Sequence, residues 1–381
     1  MSESARQKGS DADLQFMQAA LDQARRSRPS PNPPVGAVLV GADGKLVSKA
    51  HHVEAGADHA ETAALEEAGD SAEGATIYVT LEPCNHEGRT EPCVDALLKS
   101  GVKRVVIGCL DPNPHVTGGG AKRLEEAGIE VETGVAAAEC RALIAPWTKF
   151  ITTGMPNVAL KLAMSLDGRI ATRSGESKWV TGPEARLKVQ HLRSQNDAVG
   201  VGIGTAITDD PRLTVRDEAL LSGGPSPVRI IFDTKLRLPR TARVVETATE
   251  VATWICAGES ADADAEKILV DAGCTVVRVE QSADERIDMG AAFKMLGEAG
   301  VVSILIEGGA ELAGSLLASK HADELHAFIA PIMLGPRGRP GAVDWAGPDT
   351  LGEAPRIVNP SWEVCGQDAY VYGKVDYPEK D

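Results

Sequence analysis

Residues 59–93 read HAETAALEEAGDSAEGATIYVTLEPCNHEGRTEPC, and the order of elements in that stretch decides the fold. His59–Ala68 keeps helical spacing, Ala75–Leu81 is an expected strand, and Cys93–Ser100 is helical again. Working outward, Asp13–Arg26 sets Leu14, Met17, Leu21 and Ala24 at helical spacing. Val35–Val40 and Lys45–Lys49 flank the turn Gly41-Ala42-Asp43-Gly44 as a hairpin. Downstream, Arg104–Cys109 and Ile129–Glu132 are expected strands and Ala121–Ala127 a helix. Such alternation implies α/β layers. Pro and Gly between Ala145-Pro146 and Gly154-Met155-Pro156 mark a boundary, giving domains at 1–150 and 151–381. A second α/β series follows, with strands near Asn157–Ala163, Ala198–Val201, Arg229–Asp233, Val251–Ile255, Thr275–Val279, Val302–Ile306 and Glu324–Ala330. Helical patterns fall at Pro183–Arg193, Asp288–Glu298 and Glu311–Ser319. Two domains also suit a chain of 381 residues, which is too long for one average core.

Composition narrows the function. With 43% hydrophobic and only 4% aromatic residues, the cores must rest on Val, Leu, Ile and Ala. The formal net charge is −16, and no Lys/Arg run reaches the length of a polybasic patch. Polynucleotides and anionic membranes recruit clustered cations, so neither is an expected partner. The opening MSESARQKGS lacks the apolar core of a secretory signal, and no apolar run approaches a membrane span. Seven cysteines in so long a chain do not make a disulfide framework, which points to a reducing, cytoplasmic setting.

One imidazole and two thiolates, from His59, Cys84 and Cys93, form a borderline-soft set that favours a single zinc ion. Three protein ligands leave the fourth tetrahedral position to water, the layout of a catalytic site. Zinc lowers the pKa of that water. Glu61, two residues beyond the histidine, is placed to take its proton and pass it to a ring nitrogen and then to the leaving amine. His-x-Glu followed by Pro-Cys is the signature of zinc base deaminases, with one departure: Asn85–Pro92 separates two cysteines that the pattern sets much closer. The insert is expected to loop over the metal and line the substrate pocket. A structural zinc site is the bland alternative, but it has no use for Glu61.

Other positions read two ways. Asn32, just before a strand, either contacts a ring or only forms a turn. His52 and His86 either hydrogen-bond a substrate or are solvated loop residues, and Asp111-Pro112-Asn113-Pro114 is by residue type a turn. In the second half, Gly200-Val201-Gly202-Ile203-Gly204-Thr205 follows a strand but departs from G-x-G-x-x-G at Thr205. Ser303–Glu307 running through Gly308-Gly309 into a helix is a better nucleotide signal. A helix start offers free N–H groups and a favourable dipole to a pyrophosphate, unless the turn serves packing alone.

With these residues in view, the chain resembles the bifunctional riboflavin-biosynthesis deaminase/reductases. The similarity rests on 59–93 with Asp111-Pro112-Asn113-Pro114, then on residues 161–168 (Lys161 to Gly168) and 177–182 (Ser177 to Gly182). It continues through Gly202-Ile203-Gly204-Thr205, Asp209-Asp210-Pro211-Arg212-Leu213-Thr214 and Glu307-Gly308-Gly309, and spans about Leu14 to Pro336. The resemblance implies a cytidine-deaminase-like domain fused to a dihydrofolate-reductase-like domain. It implies two reactions on a phosphoribosylated pyrimidine: an exocyclic amine is hydrolysed with release of ammonia, then NADPH reduces the ribosyl side chain to ribityl.

The resemblance also implies roles. Asn32, His52, His86, Arg89, Asp111 and Asn113 would line the deaminase pocket, with Arg89 on the ribose phosphate. Ser177, Arg193, Leu213, Arg216 and Glu307 would bind the reductase substrate, the arginines suiting its phosphate. Ala163, Trp179, Thr205, Asp209 and the turn opening at Gly308 and Gly309 would meet NADPH. Lys161 and Asp209 are both candidates for assisting ring opening or protonation, while Trp179 as a core residue and Asp209-Asp210-Pro211 as a mere turn are the plainer readings. A homo-oligomer, dimer or larger, is expected. Two departures, Glu91 in place of the family's usual Pro and Gly118-Gly119-Gly120 without its frequent Lys or Arg, weaken the expected attraction for phosphate. The competing reading is a zinc nucleoside or tRNA-base deaminase with an accessory domain, and the acidic charge argues against it.

Overall fold

Ser10 starts the first helix. Its hydroxyl accepts the Asp13 N–H while the Asp13 carboxylate accepts the Ser10 N–H, a capping box that sets α1 (Asp11–Ala24). The computed structural model describes residues 9–86, 91–114, 119–221, 224–335 and 341–378; Arg89 and Gly118 lie outside the described residues. The chain divides into two units, ending and beginning at Gly154 and Met155. Among the described residues no helix is long and apolar enough to cross a membrane.

In the first unit, α1 is followed by β1 (Gly36–Val40), β2 (Leu46–His51), α2 (Ala60–Ala68), β3 (Thr76–Leu81), α3 (Cys93–Ser100), β4 (Arg104–Cys109), α4 (Gly120–Glu126) and β5 (Glu130–Thr133). The sheet order is β2-β1-β3-β4-β5; β1 runs antiparallel to both neighbours, and β3, β4 and β5 are parallel. Burial of Met17, Leu21, Leu39, Ile77, Val79, Val105 and Ile107, each without exposed surface, supplies the core. Each large aliphatic chain so buried contributes about 2 kcal/mol. Since β2 and β3 both oppose β1, the carboxyl ends of β2, β3 and β4 and the start of β1 share one edge. That edge gathers Asn32, His52, Cys84 and Asp111.

Two further helices, α5 (Ala137–Leu143) and α6 (Ala145–Thr153), close the unit. Helix α6 fills most of the stretch between Ala145 and Pro156 whose Pro and Gly mark the domain boundary in the sequence. Pro146 sits in the helix's first turn, where its missing N–H has no intrahelical acceptor to lose, and Gly154 closes the helix in the left-handed region.

Across the opposite side of the sheet, Arg104 ties α1 to β4 and β5. Its guanidinium donates to Asp13 at 2.7 and 3.3 Å and pairs with Glu130 at 3.1 Å and with Glu132. Tyr78 donates to Asp13 at 2.9 Å. Burial alone would raise the Asp13 carboxyl, but Arg104 and these donors hold it well below its ordinary value. Asp13→Asn is therefore expected to cost about 2 kcal/mol in a denaturant titration at neutral pH. Because the folded value is depressed, that contribution is present above about pH 4 and fades as the pH falls through the folded value. The difference between the two proteins should shrink accordingly in acid.

The second unit runs β6 (Asn157–Ser165), α7 (Pro183–Ser194), β7 (Ala198–Gly202), α8 (Ile203–Asp209), β8 (Val228–Phe232), α9 (Arg243–Glu246), β9 (Thr253–Gly258) and α10 (Ala263–Asp271). It continues through β10 (Thr275–Val279), α11 (Met289–Glu298), β11 (Ser303–Ile306), α12 (Ala310–Ala318), β12 (Glu324–Ala330), β13 (Arg356–Cys365) and β14 (Asp368–Asp376). The sheet order is β10-β9-β8-β7-β11-β6-β12-β14-β13, parallel as far as β12 and antiparallel beyond. Ile230 packs on one face with Ile304, Phe293 and Leu316, and its neighbour Ile231 on the other with Val199, Ile255 and Leu269. Both faces are covered, which is why these strands read as continuous apolar runs. Adjacent strands β7 and β11 send their chains in opposite directions, to β8 and to β12. They form a topological switch point, where open α/β sheets bind ligands beyond the carboxyl ends of the strands.

Candidate functional site

The first site forms where α2 and α3 begin beside the end of β3. His59 is the N-cap of α2, Cys93 opens α3, and Cys84 lies just past β3. Their ligand atoms all fall within 4.8 Å of one another. His59 Nδ1 lies 3.1 Å from the Cys93 sulfur and 3.4 Å from that of Cys84, so Nδ1 is the nitrogen offered to a cation. The Cys93 N–H donates to the Cys84 sulfur at 3.3 Å. That donor and the Cys93 thiol hold the Cys84 thiol well down, although burial works against them. One nitrogen and two sulfurs converging suit zinc, and three protein ligands would leave its fourth tetrahedral position to water. Glu61, in the first turn of α2, is only 3% exposed, and burial pushes its carboxyl up to about 7.

The rim is held by residues that face away from solvent. His52, 2% exposed, is no solvated loop residue. Its Nδ1 faces the Asp58 carbonyl at 3.0 Å and must carry the proton there; its Nε2 lies 2.9 Å from the Asn32 amide nitrogen and accepts from it. Both ring nitrogens have protein partners. What it does is fix Asn32 with its amide oxygen turned away from the ring. Asp111 accepts the Asn113 N–H at 2.8 Å, forming the turn its residues suggest, and burial pushes its carboxyl up. His86 is exposed beside the segment that carries Arg89. Glu91 pairs with Lys99 at 3.2 Å on the surface, so its extra charge is met locally.

Sequence reasoning gave no role to two residues of this rim. Glu82 is 8% exposed, and its carboxylate accepts the Asp111 N–H and the Ala121 N–H, each at 3.1 Å. It therefore clasps the two loops flanking the metal ligands. Arg123 donates to Asn85 at 2.8 Å and pairs with Asp95, anchoring the chain just after Cys84. At Gly120 an added Cβ would lie 2.1 Å from the Pro83 carbonyl oxygen, so only glycine permits this approach. Glu82 was visible as part of the Leu81–Cys84 run, but Arg123 had no local signal.

The second site is a cleft of about 1390 Å³ at the β7/β11 switch point. It brings together every residue expected of the reductase half: Lys161, Ala163, Ser177, Trp179, Arg193, Thr205, Asp209, Leu213, Arg216, Glu307, Gly308 and Gly309 all line it. Trp179 is 62% exposed under the Arg186 guanidinium at 4.8 Å, so it is not a core residue. Asp209 accepts the Ser177 hydroxyl at 3.1 Å. The Thr205 hydroxyl donates to the Gly308 carbonyl at 3.3 Å, and a Cβ on Gly309 would come within 2.9 Å of that hydroxyl. The two glycines, both at positive φ, let the turn into α12 pass close to α8.

Arg193 and Glu307 form a buried bidentate pair, and the third guanidinium nitrogen donates to the Thr214 carbonyl at 2.7 Å. Burial alone would raise the Glu307 carboxyl, but Arg193, helped by Lys161 and Arg216, holds it below its ordinary value. Burial pushes the Lys161 ammonium down, with Glu307 and Asp209 opposing. Each nitrogen of Arg193 thus has a protein partner. Arg216 is exposed in the same cleft.

A family model for the cytidine and deoxycytidylate deaminase zinc-binding region matches residues 10–109, and one for the RibD C-terminal domain matches 156–371. The riboflavin biosynthesis protein RibD of Bacillus amyloliquefaciens is 41% identical over 344 residues, 90% of this chain and 91% of that protein. The solved structure of Acinetobacter baumannii RibD, form 1, is similar with a TM-score of 0.83 at 37% identity, covering 96% of this chain and 99% of that one. A Thermotoga maritima structure, described as a diaminohydroxyphosphoribosylaminopyrimidine deaminase/5-amino-6-(5-phosphoribosylamino)uracil reductase, gives 0.82 at 34% identity over 96% and 99% of the two chains.

Proposed function

The chain belongs to the RibD family of riboflavin-biosynthesis deaminase/reductases, and on that premise we propose how its residues divide the two reactions. The protein is bifunctional, a hydrolytic deaminase in its N-terminal part and a reductase in its C-terminal part. A nucleoside or tRNA-base deaminase with an accessory domain gives way to this, since residues 156–371 match the reductase half of the family. The deaminase substrate is a diamino-hydroxy-phosphoribosylaminopyrimidine.

His59, Cys84 and Cys93 hold zinc, and zinc there would acidify a water for attack on the ring at neutral pH. Glu61 takes the proton and delivers it to the ring nitrogen and then to the departing amine. Its burial beside three converging ligands is the observation that carries this reading. Asn32, oriented by His52, presents its amide oxygen to the ring; Asp111, Asn113 and His86 complete the rim, and Arg89 takes the ribose phosphate.

In the reductase, NADPH would supply hydride from a position over the switch point. Gly308 and Gly309 at the α12 start would hold its pyrophosphate, and Ala163, Trp179, Thr205 and Asp209 would bind the rest. Ser177, Leu213 and Glu307 orient the sugar, while Arg216 takes its phosphate, because Arg193 is occupied with Glu307 and Thr214. Lys161 is the better placed of the two proton donors: burial eases release from its ammonium, whereas Asp209 is engaged by Ser177. The unpaired side of edge strand β13 leaves Trp362 and Val364 67% and 84% exposed, which supports a homo-oligomer. A cytoplasmic setting, which keeps thiols reduced, suits the ligand set.

The test is one assay on the purified chain given the diaminopyrimidine phosphate, following ammonia and NADPH oxidation together with metal analysis. One zinc per chain and ammonia release ahead of NADPH oxidation are expected; ammonia alone would leave only the deaminase. Arg216→Ala should raise the reductase KM roughly tenfold or more while sparing ammonia release. Equal loss of both activities would overturn the two-site assignment.

A further inference from the structure

Glu82 stands between the metal ligands and the turn that displays Asp111. It follows β3 directly, two residues before Cys84, and its N–H donates to the Cys109 carbonyl at 2.9 Å. Its carboxylate is divided between two elements: Oε2 accepts the Asp111 N–H past the end of β4, and Oε1 accepts the Ala121 N–H at the start of α4. The last sheet pair on this side is Leu81 opposite Cys109. Beyond it, the Glu82 carboxylate carries the attachment of the Asp111 turn.

A carboxylate is the harder side chain to bury there. Glu82 is 8% exposed, and a buried anion without a cation desolvates less readily than a neutral amide. Arg104, Arg123 and Lys99 pair with other acids, and no ion pair reaches Glu82 among the described residues. What an ionised carboxylate has and an amide lacks is a second acceptor oxygen. Two N–H groups arriving from different elements can be met by one side chain only if both of its terminal atoms accept.

The two ends depend on it unequally. The start of α4 has further anchors on the metal segment: Arg123 donates to Asn85 at 2.8 Å, and a Cβ on Gly120 would lie 2.1 Å from the Pro83 carbonyl oxygen. The Asp111 turn is linked onward instead, since Asp111 Oδ1 accepts the Asn113 N–H at 2.8 Å. Releasing the Asp111 N–H therefore shifts Asp111 and Asn113 together while α4 stays in place.

We propose that Glu82 is a positioning residue for deamination, setting the distance of Asp111 and Asn113 from the metal ligands through the length of its side chain. The proposal rests on the reading that Asp111 and Asn113 line the deaminase pocket. A substrate can still bind against a displaced turn, but its ring then sits out of line for attack. A misplacement of about 1 Å costs on the order of a hundredfold in rate.

The test uses the full zinc-loaded chain carrying Glu82→Gln, Glu82→Asp, Asp111→Ala or Glu82→Gln with Asp111→Ala. Ammonia release, zinc content and NADPH oxidation on the deaminated substrate are followed in each. Gln keeps the length and loses one acceptor; Asp keeps both acceptors and the charge but is one methylene short of holding both N–H groups. Each Glu82 variant should lower kcat for ammonia release by about tenfold to a hundredfold, with a smaller change in KM. Zinc content and NADPH oxidation should match the wild type. In the Asp111→Ala background, Glu82→Gln should cost less than about threefold, because Asp111 and its hold on Asn113 are already gone. A merely structural role would give losses that multiply in the double variant, and that result overturns the proposal. So does Glu82→Asp with wild-type activity, which leaves charge rather than reach as the contribution, and so does loss of zinc from both Glu82 variants, which assigns Glu82 to support of the metal. Undiminished ammonia release in Asp111→Ala overturns the pocket reading beneath the proposal. An impaired Asp111→Ala beside unimpaired Glu82 variants overturns the proposal alone.

Discussion

Glu61→Gln is expected to slow ammonia release by about a thousandfold, within the range that a positioned general acid–base contributes. The substitution keeps the shape and the hydrogen-bonding reach of the side chain, so it opens no cavity in a site where Glu61 is 3% exposed. What it removes is the ability to hold a proton. Zinc content should be unchanged, since His59, Cys84 and Cys93 offer the ligand atoms and Glu61 does not. NADPH oxidation with an already deaminated substrate should be unchanged as well. Unimpaired ammonia release in the zinc-replete variant would remove Glu61 from the proton path.

Arg193→Met is expected to be the most destabilising change in the second unit, by about 3 kcal/mol or more, and to abolish reduction. The side chains of Arg193 and Glu307 are 10% and 9% exposed, so losing the guanidinium strands a carboxylate that water does not reach. Lys161 is near enough to stabilise Glu307 in part, which keeps the cost toward the low end of the range for a broken buried pair. Four of the five tryptophans lie beyond residue 155, so denaturation followed by tryptophan emission reports mainly on this unit. Adding Glu307→Leu to the variant should recover part of the lost stability without restoring reduction, because the stranded charge is gone. If the single variant melts like the wild type, the pair is not what holds α7 to the end of β11.

The elements read from the sequence were those with strong periodicity and ends marked by residue type. Cys93–Ser100, Arg104–Cys109, Thr275–Val279 and Glu324–Ala330 fall where the pattern sets them. The hairpin of β13 and β14 had no such signal. Val358, Trp362 and Val364 point into solvent on an edge strand, and a register shift falls at Asn359-Pro360, so its alternation does not read as a buried face. Helix α6 was hidden by the opposite error, a proline taken as a breaker where the first turn welcomes it. At the metal site the ligands were legible because zinc asks for few residue types. The clasp at Glu82 was not, since its partners are main-chain N–H groups 29 and 39 residues away. Arg193 was legible as a cation, while the partner that engages it lies 114 residues on.

Glu82 holds its two loops through N–H groups, which any non-proline residue at 111 or 121 would offer equally. These two attachments of the rim are therefore independent of the side chains displayed at 111 and 121. Over evolutionary time such an arrangement lets the displayed groups drift, and with them the ring that is admitted, while the point of hydrolysis stays fixed. Divergence in substrate choice need not pass through ancestors that had lost the reaction.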